Sequence, residues 1–411
     1  MSKINKSKKI GIKDSFQQNY NVMPFLFSVL FFGITNSIAK ALMNNYLADI
    51  IKITRIQLGV VEFFRELPGL FLIFILAYLY KQSDKKNYQT AIIISICGFL
   101  GLTFLGTNLW IVIIFLVMNS LGEHISMQVR QSLAVEMSKK NMNGNSLGIM
   151  QGFRSLGNIL GFLIVPILFF FLSKIGFGKD SAKSYKTIYF IAMLIAFIAY
   201  IFTSKIPKLQ SEEKVGPKIY FHKKYGKYYI LSFFYGARKQ IFLTFAPFVL
   251  VLNYGASASY MSILFAITAG LTIIFAPIIG RLIDKIGYKK VMIGDTLILI
   301  IVCFFYGFAH RLFAHNVTFF VVSINYILDS ILSICSMASL VYCRALSANQ
   351  EEFGKTITTG ISVNHLISIV IALLGGLIWQ LAGIEILFTI SAVLGLLNSI
   401  FAATIKEVKN N

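Results

Sequence analysis

Charge is what this chain lacks. Only 13% of its 411 residues are Asp, Glu, Lys or Arg, about half the share of a soluble domain and too few to cover a water-facing surface. Acidic residues are the scarcer kind, 17 against 38 Lys and Arg, for a net charge of +21. Cysteine is nearly as rare. Cys97, Cys303, Cys335 and Cys343 lie in apolar surroundings without metal-type spacing, which suits packing residues and calls for no metal. Enzyme signatures are also missing: there is no Gly-Lys-Ser/Thr phosphate loop, His-Glu-x-x-His, CxxC pair or Gly-x-Ser-x-Gly elbow. ATP-driven transport and hydrolytic chemistry are therefore not expected, and no cofactor is implied.

Apolar residues make up 56% of the chain, and its mean hydropathy is +0.73. A bilayer core needs roughly 20 apolar residues per helix. Twelve runs of that order are found, near 23–43, 57–80, 89–106, 109–136, 146–173, 185–204, 228–252, 257–279, 290–309, 316–343, 356–381 and 384–404. A transmembrane barrel would alternate in polarity over segments of about 10 residues, whereas these runs are continuously apolar. The fold class is all-α and polytopic. The first run follows Lys3, Lys6, Lys8, Lys9 and Lys13 and is long enough to span, so it reads as a retained helix rather than a cleaved signal.

A polar segment, 205–227, with Pro207, Pro217 and seven lysines, divides the runs into two sets of six. The expected organisation is a basic N-terminal segment 1–22, a first half 23–204, the linker 205–227, a second half 228–404 and a tail 405–411. The excess of Lys and Arg is not that of a nucleic-acid binder, because it is confined to alternate loops. With both termini inside, 25 of the 38 fall on the inner side. Only Lys52, Arg55, Lys174, Lys179, Lys183, Lys186 and Arg311 fall on the outer side. This bias orients the chain. The abundance of Lys, Ile and Asn fits an AT-rich bacterial genome, hence a bacterial cytoplasmic membrane with lipids as partners.

The halves read as weak repeats, as in many transporter folds. Gly33-Ile-Thr-Asn36 matches Gly236-Ala-Arg-Lys239, Asn119 to Glu123 matches Asn325 to Asp329, and Asp84-Lys85-Lys86 matches Asp284-Lys285-Ile286. The three offsets are nearly equal.

Ionisable residues inside spans are costly and so face a cavity or a partner. Glu62, Arg65 and Glu66 share one face of span 2, and Pro68-Gly69 after them can kink the helix. Lys40 in span 1 is placed to answer Glu62 or Glu66. Glu123 in span 4 and Asp329 in span 10 lie near mid-depth, as do Arg238 and Lys239 in span 7 and Asn36 in span 1. Arg154 and His365 occupy comparable depths in spans 5 and 11. His124 points about 100° from Glu123 and need not share its cavity. Arg130, nearer the inner end, is able to snorkel, and Asp295 near the end of span 9 is in reach of loop lysines.

The loop Gly280-Arg-Leu-Ile-Asp284-Lys-Ile-Gly287-Tyr-Lys289-Lys290 resembles the Gly-x-x-x-Asp-x-x-Gly-x-Lys-Lys signature of the major facilitator superfamily of secondary transporters. The resemblance implies two pseudo-symmetric six-helix halves, and a conformational latch at Gly280, Asp284, Gly287 and Lys290. It also implies a central cavity lined by spans 1, 4, 7 and 10, and so by Asn36, Glu123, Arg238, Lys239 and Asp329. In the first-half copy Tyr80 and Asn87 replace the glycines. The drug-antiporter glycine-proline-glycine, the sugar-porter and the peptide-transporter signatures are not found, so no subfamily is assigned.

The functional expectation is secondary active transport of a small organic solute by alternating access. The two basic residues of span 7 suit an anionic or zwitterionic substrate, and Glu123 or Asp329 suits a proton carrier. Multidrug or amphiphile efflux is the alternative, and a lipid-moving or ligand-sensing membrane protein a second. A monomer is expected.

Overall fold

The computed structural model describes residues 11–79, 82–140, 142–178, 180–207 and 221–406. Lys3, Lys6, Lys8, Lys9, Tyr80, Lys179, the linker from 208 to 220 and residues 407–411 lie outside them. The described chain is a helical bundle. Its helices are α1 Met23–Asn45, α2 Arg55–Leu70 continued by Leu72–Leu79, α3 Asp84–Phe104, α4 Leu109–Glu136, α5 Asn143–Lys174 and α6 Ala182–Ser204. The second half follows with α7 Gly226–Tyr254, α8 Ala258–Ile286, α9 Tyr288–Leu312 and α10 His315–Leu346. The last continuous helical stretch, Gln350–Ala403, breaks at Gly383, whose φ of 88° no L side chain readily adopts. It is therefore two crossings, α11 (350–382) and α12 (384–403).

Nine of the described helices are long and apolar enough to cross a membrane when Glu352–Ala403 is taken as one. The α2 and α7 helices fall short of that measure. The break at Phe71 leaves the α2 segments Arg55–Leu70 and Leu72–Leu79 too short, while Arg238-Lys239-Gln240 lowers the apolar average of α7; both helices carry charge at depth. That is the mark of helices turned toward a cavity rather than lipid. Elsewhere bulky side chains such as Phe104, Phe170, Phe171, Leu297 and Leu381 point outward, as lipid-facing surfaces require.

Local chemistry sets the boundaries. Thr54 caps α2, accepting the Gln57 N–H at 3.2 Å while Gln57 Oε1 accepts the Thr54 N–H at 2.8 Å. Asn108 caps α4 through the Ile111 N–H at 3.1 Å. The α2 helix breaks at Phe71, just after Pro68-Gly69, as expected. Two irregularities went unread in the sequence: a π-turn Tyr46–Ile51 ending α1, and a 3₁₀ turn Ser333–Ser336 inside α10.

Among the described residues, the two halves meet toward one face. Asn45 Nδ2 donates to the Ala256 carbonyl at 2.7 Å, and Ser262 Oγ to that of Phe162 at 2.5 Å. The Arg55 guanidinium lies 5.2 Å from the Trp379 ring. A β-carbon on Gly59 would stand 2.4 Å from the Ala372 carbonyl. These residues lie toward the ends of the helices joined by the α1–α2, α5–α6, α7–α8 and α11–α12 turns. At the opposite ends, added β-carbons at Gly144, Gly148 and Gly152 of α5, and at Gly270 and Gly280 of α8, would meet nothing within 4 Å. The bundle is closed on the loop face and open on the face carrying the described terminal segments.

Candidate functional site

Glu123 and Asp329 each lie fourteen residues beyond the first residue of their helix, Leu109 in α4 and His315 in α10. At 1.5 Å per residue that is about 21 Å, near mid-membrane. Each stands at the centre of a charged cluster, but the clusters are opposite in sign.

In the first half, one carboxylate faces two guanidiniums. Arg154 Nη2 donates to Glu123 Oε1 at 2.5 Å, and Arg130 Nη1 stands 3.7 Å from the same oxygen. The Asn36 amide donates to the other oxygen. Ser126 Oγ accepts from Arg130 Nη1 at 3.2 Å and donates to the Glu123 carbonyl at 2.9 Å. Arg130 therefore does not snorkel: it is buried, at 4% exposure. A guanidinium about two helical turns from a buried carboxylate finds a better counter-charge there than at the membrane surface.

In the second half, one guanidinium faces two carboxylates. Arg238, also 4% exposed, has Nη1 at 3.7 Å from Asp329 Oδ1 and its guanidinium 5.2 Å from the Tyr235 ring. Asp295 on α9 lines one cleft with Tyr235, the residue on whose ring Arg238 lies, and its charge also acts on Arg238. It does not reach a described loop lysine; Thr296 Oγ1 donates to it at 3.3 Å.

Between the clusters lies a third group that spans the halves. Arg65 Nη1 donates to Glu62 at 2.6 Å, and Ser120 Oγ donates to the Arg65 carbonyl at 2.5 Å. Glu66 on α2 pairs with His365 Nδ1 on α11 at 2.8 Å. The His124 ring meets that of His365 edge to face at 5.2 Å. The 100° offset that removes His124 from the Glu123 cluster delivers it to this one. Sequence reasoning treated His365 as a lone residue because its partner is 299 positions away.

Lys40 does not answer Glu62 or Glu66. Its ammonium lies 5.0 Å from the Phe265 ring of α8, and the charges acting on it are those of Arg65 and Lys239. Its side chain is exposed although it is deep in α1, so the helices leave open space around it at this depth. Lys239 is half-buried. Among the described residues, neither lysine has a carboxylate within 4.0 Å. The cavity therefore presents cations from α1, α2 and α7 with no described carboxylate closing on the two lysines.

The 280–290 loop lies on the open face. Gly287, with φ 90°, makes the turn between α8 and α9. Lys289 Nζ donates to the Ile405 carbonyl at 3.0 Å, while Asp284 and Lys290 are exposed. The expected cap or cation pair for Asp284, and the close helix approach at Gly280, are not made among the described residues. In the first-half copy, Lys85 Nζ donates to the carbonyls of Ser204 and Ile206 at 2.8 and 2.5 Å, and Asn87 to that of Leu79 at 3.1 Å.

Two six-helix halves with charged clusters at membrane depth fit a polytopic secondary transporter rather than an enzyme. The chain belongs to the Major Facilitator Superfamily, whose family model matches residues 25–221 and 228–410. Solved structures share the fold at low identity. A point mutant of the nucleoside transporter NupG aligns with a TM-score of 0.73 at 15% identity, covering 93% of this chain and 99% of that one. A D-xylose–proton symporter aligns at 0.72 and 13%, covering 94% and 97%. A point mutant of the peptide transporter POT, in complex with alafosfalin, aligns at 0.71 and 12%, covering 96% of each. No curated protein sequence matches the chain.

Proposed function

We propose that the protein moves a small organic anion or zwitterion across a bacterial cytoplasmic membrane by alternating access, coupled to protons, as a monomer with both termini inside. The moving bodies are residues 23–204 and 228–404, joined by 205–227, with 1–22 and 405–411 as terminal segments. The observation that carries this reading is the pair Lys40 and Lys239. They come from opposite halves, lie near enough for the Lys239 charge to act on Lys40, and have no carboxylate within 4.0 Å among the described residues. Two uncompensated cations at membrane depth are costly, and a bound anion removes the cost.

The clusters on either side hold the cavity in shape. Neutralising Glu123 would leave Arg130 and Arg154 facing each other without a counter-charge, so its first task is structural, with Asn36 as a bridge to α1. Asp329 shares a single guanidinium with another carboxylate, and of the two it is the better proton carrier. Glu66 and His365 join the halves when the outer face is closed, and Arg65 is held on that seam by Glu62.

The test is flux in proteoliposomes with an imposed pH gradient, screening radiolabelled carboxylates, amino acids and phosphate esters. Lys40→Gln combined with Lys239→Gln is expected to lower apparent affinity for the transported anion by more than about 100-fold, each charge-assisted contact being worth roughly 1.5–3 kcal/mol, or about 10- to 150-fold by itself. Unchanged affinity would sink the anion reading. Translocation of labelled phospholipid without flux of any soluble solute would replace it with a lipid mover.

A further inference from the structure

Asp295 belongs to none of the roles assigned so far. It lies seven residues into α9, a helix that packs on α10 and α12. A cleft beside it is lined by Asp295, Tyr235, Cys335, Ser336, Ser339 and Asn398. Leu231 and Met292 complete the lining, and its hydroxyl, amide and carboxylate groups offer partners to a single water. Asn398 Oδ1 is buried with no hydrogen-bond partner among the described residues. Arg238 Nη1, on a residue only 4% exposed, likewise donates to nothing among them while pointing toward Asp329 at 3.7 Å.

The groups facing Asp295 and Asp329 can be counted. From α7 come Arg238, Lys239 and the Tyr235 ring; from α9, Cys303 and Tyr306; from α10, Cys335, Tyr326 and the Asp329 carboxylate itself; from α12, the uncharged Asn398. Among the described residues, Arg238 is the one cation close to both carboxylates. Lys239 acts on Asp329 but lies beyond 4.0 Å from it and opens to the substrate cavity. The two carboxylates thus share one guanidinium at close range and depend on the more distant Lys239 for the second positive charge, so that without it a negative charge is left unbalanced in a weakly polar interior. Two such groups cannot both stay ionised without cost, and a proton shared between them removes it.

We infer that Asp295 and Asp329, disposed around Arg238, form one proton-binding site that the α9–α12 cleft supplies with water. On loading, a hydronium ion in the cleft gives its proton to a carboxylate oxygen and leaves as water; release reverses the step. The link to cargo rests on the transport reading above. An anion bound at Lys40 and Lys239 draws the Lys239 charge away from Asp329, leaving the pair with Arg238 alone, and so favours uptake of the proton. Substrate and proton then bind together, as a symporter requires.

The site is testable without knowing the substrate, because the ligand is the proton. The full-length protein in lipid nanodiscs is titrated with acid while the carboxylic-acid C=O infrared band is recorded. Wild type is expected to show a titrating buried carboxyl that is lost in both Asp295→Asn and Asp329→Asn, since the titration belongs to the pair. Asp295→Glu is expected to keep the band with a displaced midpoint, and it serves alone if the Asn variant does not fold. An unchanged midpoint in the Asp295 variants, or loss of the band in Glu66→Gln instead, overturns the assignment. If Lys40 and Lys239 prove irrelevant to flux while Asp295→Asn abolishes the band, the anion reading falls and the proton site stands. If flux behaves as proposed and the band is indifferent to Asp295, the proton site falls alone.

Discussion

Glu123→Gln removes the carboxylate that stands between Arg130 and Arg154. Breaking a buried ion pair from one side typically costs about 3–5 kcal/mol, because the stranded charge keeps its desolvation penalty. Glu123→Gln is therefore expected to lower the thermal midpoint in detergent clearly, whereas Asp295→Asn, which relieves an excess charge, should leave it level or raise it. Equal losses in the two variants would contradict the opposite-sign clusters. The types and depths of these residues were legible in the sequence. Their partnerships were not. Spacing along one helix identifies a shared face, as for Glu62 and Arg65, but Glu66 with His365 and Glu123 with Arg154 are joined by packing between helices. Arg130 and Asp295 were misplaced for the same reason: nearness to a helix end was read as nearness to the membrane surface.

At the scale of helices, the seam between α2 and α11 is the tightest contact between the halves. A β-carbon on Gly59 would meet the Ala372 carbonyl at 2.4 Å, and one on Gly376 the Arg55 carbonyl at 2.7 Å. Real β-carbons do not approach backbone that closely, so one side must move. Gly59→Leu is expected to spread the closed face and shift the population toward the opposite conformation, read as a longer spin-label distance between residues 56 and 381 by pulsed electron resonance. A distance distribution matching wild type would show that the seam yields locally and does not gate. Such contacts are invisible in the sequence, where Gly59 is one glycine in an apolar helix. The twelve crossings, by contrast, were readable because hydropathy depends on composition alone. The Gly383 break fell between two runs already separated, while the 3₁₀ turn inside α10 carries neither Pro nor Gly and left no signal.

For the whole molecule, the superfamily fold implies that the closed and open faces exchange, and the geometry fixes which residues should meet when they do. Ser262 of α8 touches Phe162 of α5, and the two helices run antiparallel. Each step back along α5 therefore corresponds to a step forward along α8, which brings Gly144 level with Gly280 on the open face. Neither has a neighbour within 4 Å of an added β-carbon. With the native cysteines replaced, a Gly144→Cys/Gly280→Cys pair should resist disulfide formation in this state, since bridging needs α-carbons within about 7 Å. When the faces exchange, α5 and α8 close on this side and the pair should oxidise. The cross-linked protein should lose flux, and reduction should restore it. The position of Gly280 gives the result a further reading. If closure brings its helix against α5, the glycine that meets nothing here is the one that permits close approach there, and Asp284 one turn later comes within reach of a partner across the seam. A pair that oxidises at one rate under all conditions while flux continues would show that these ends never part, and the alternation would have to be sought between other helices.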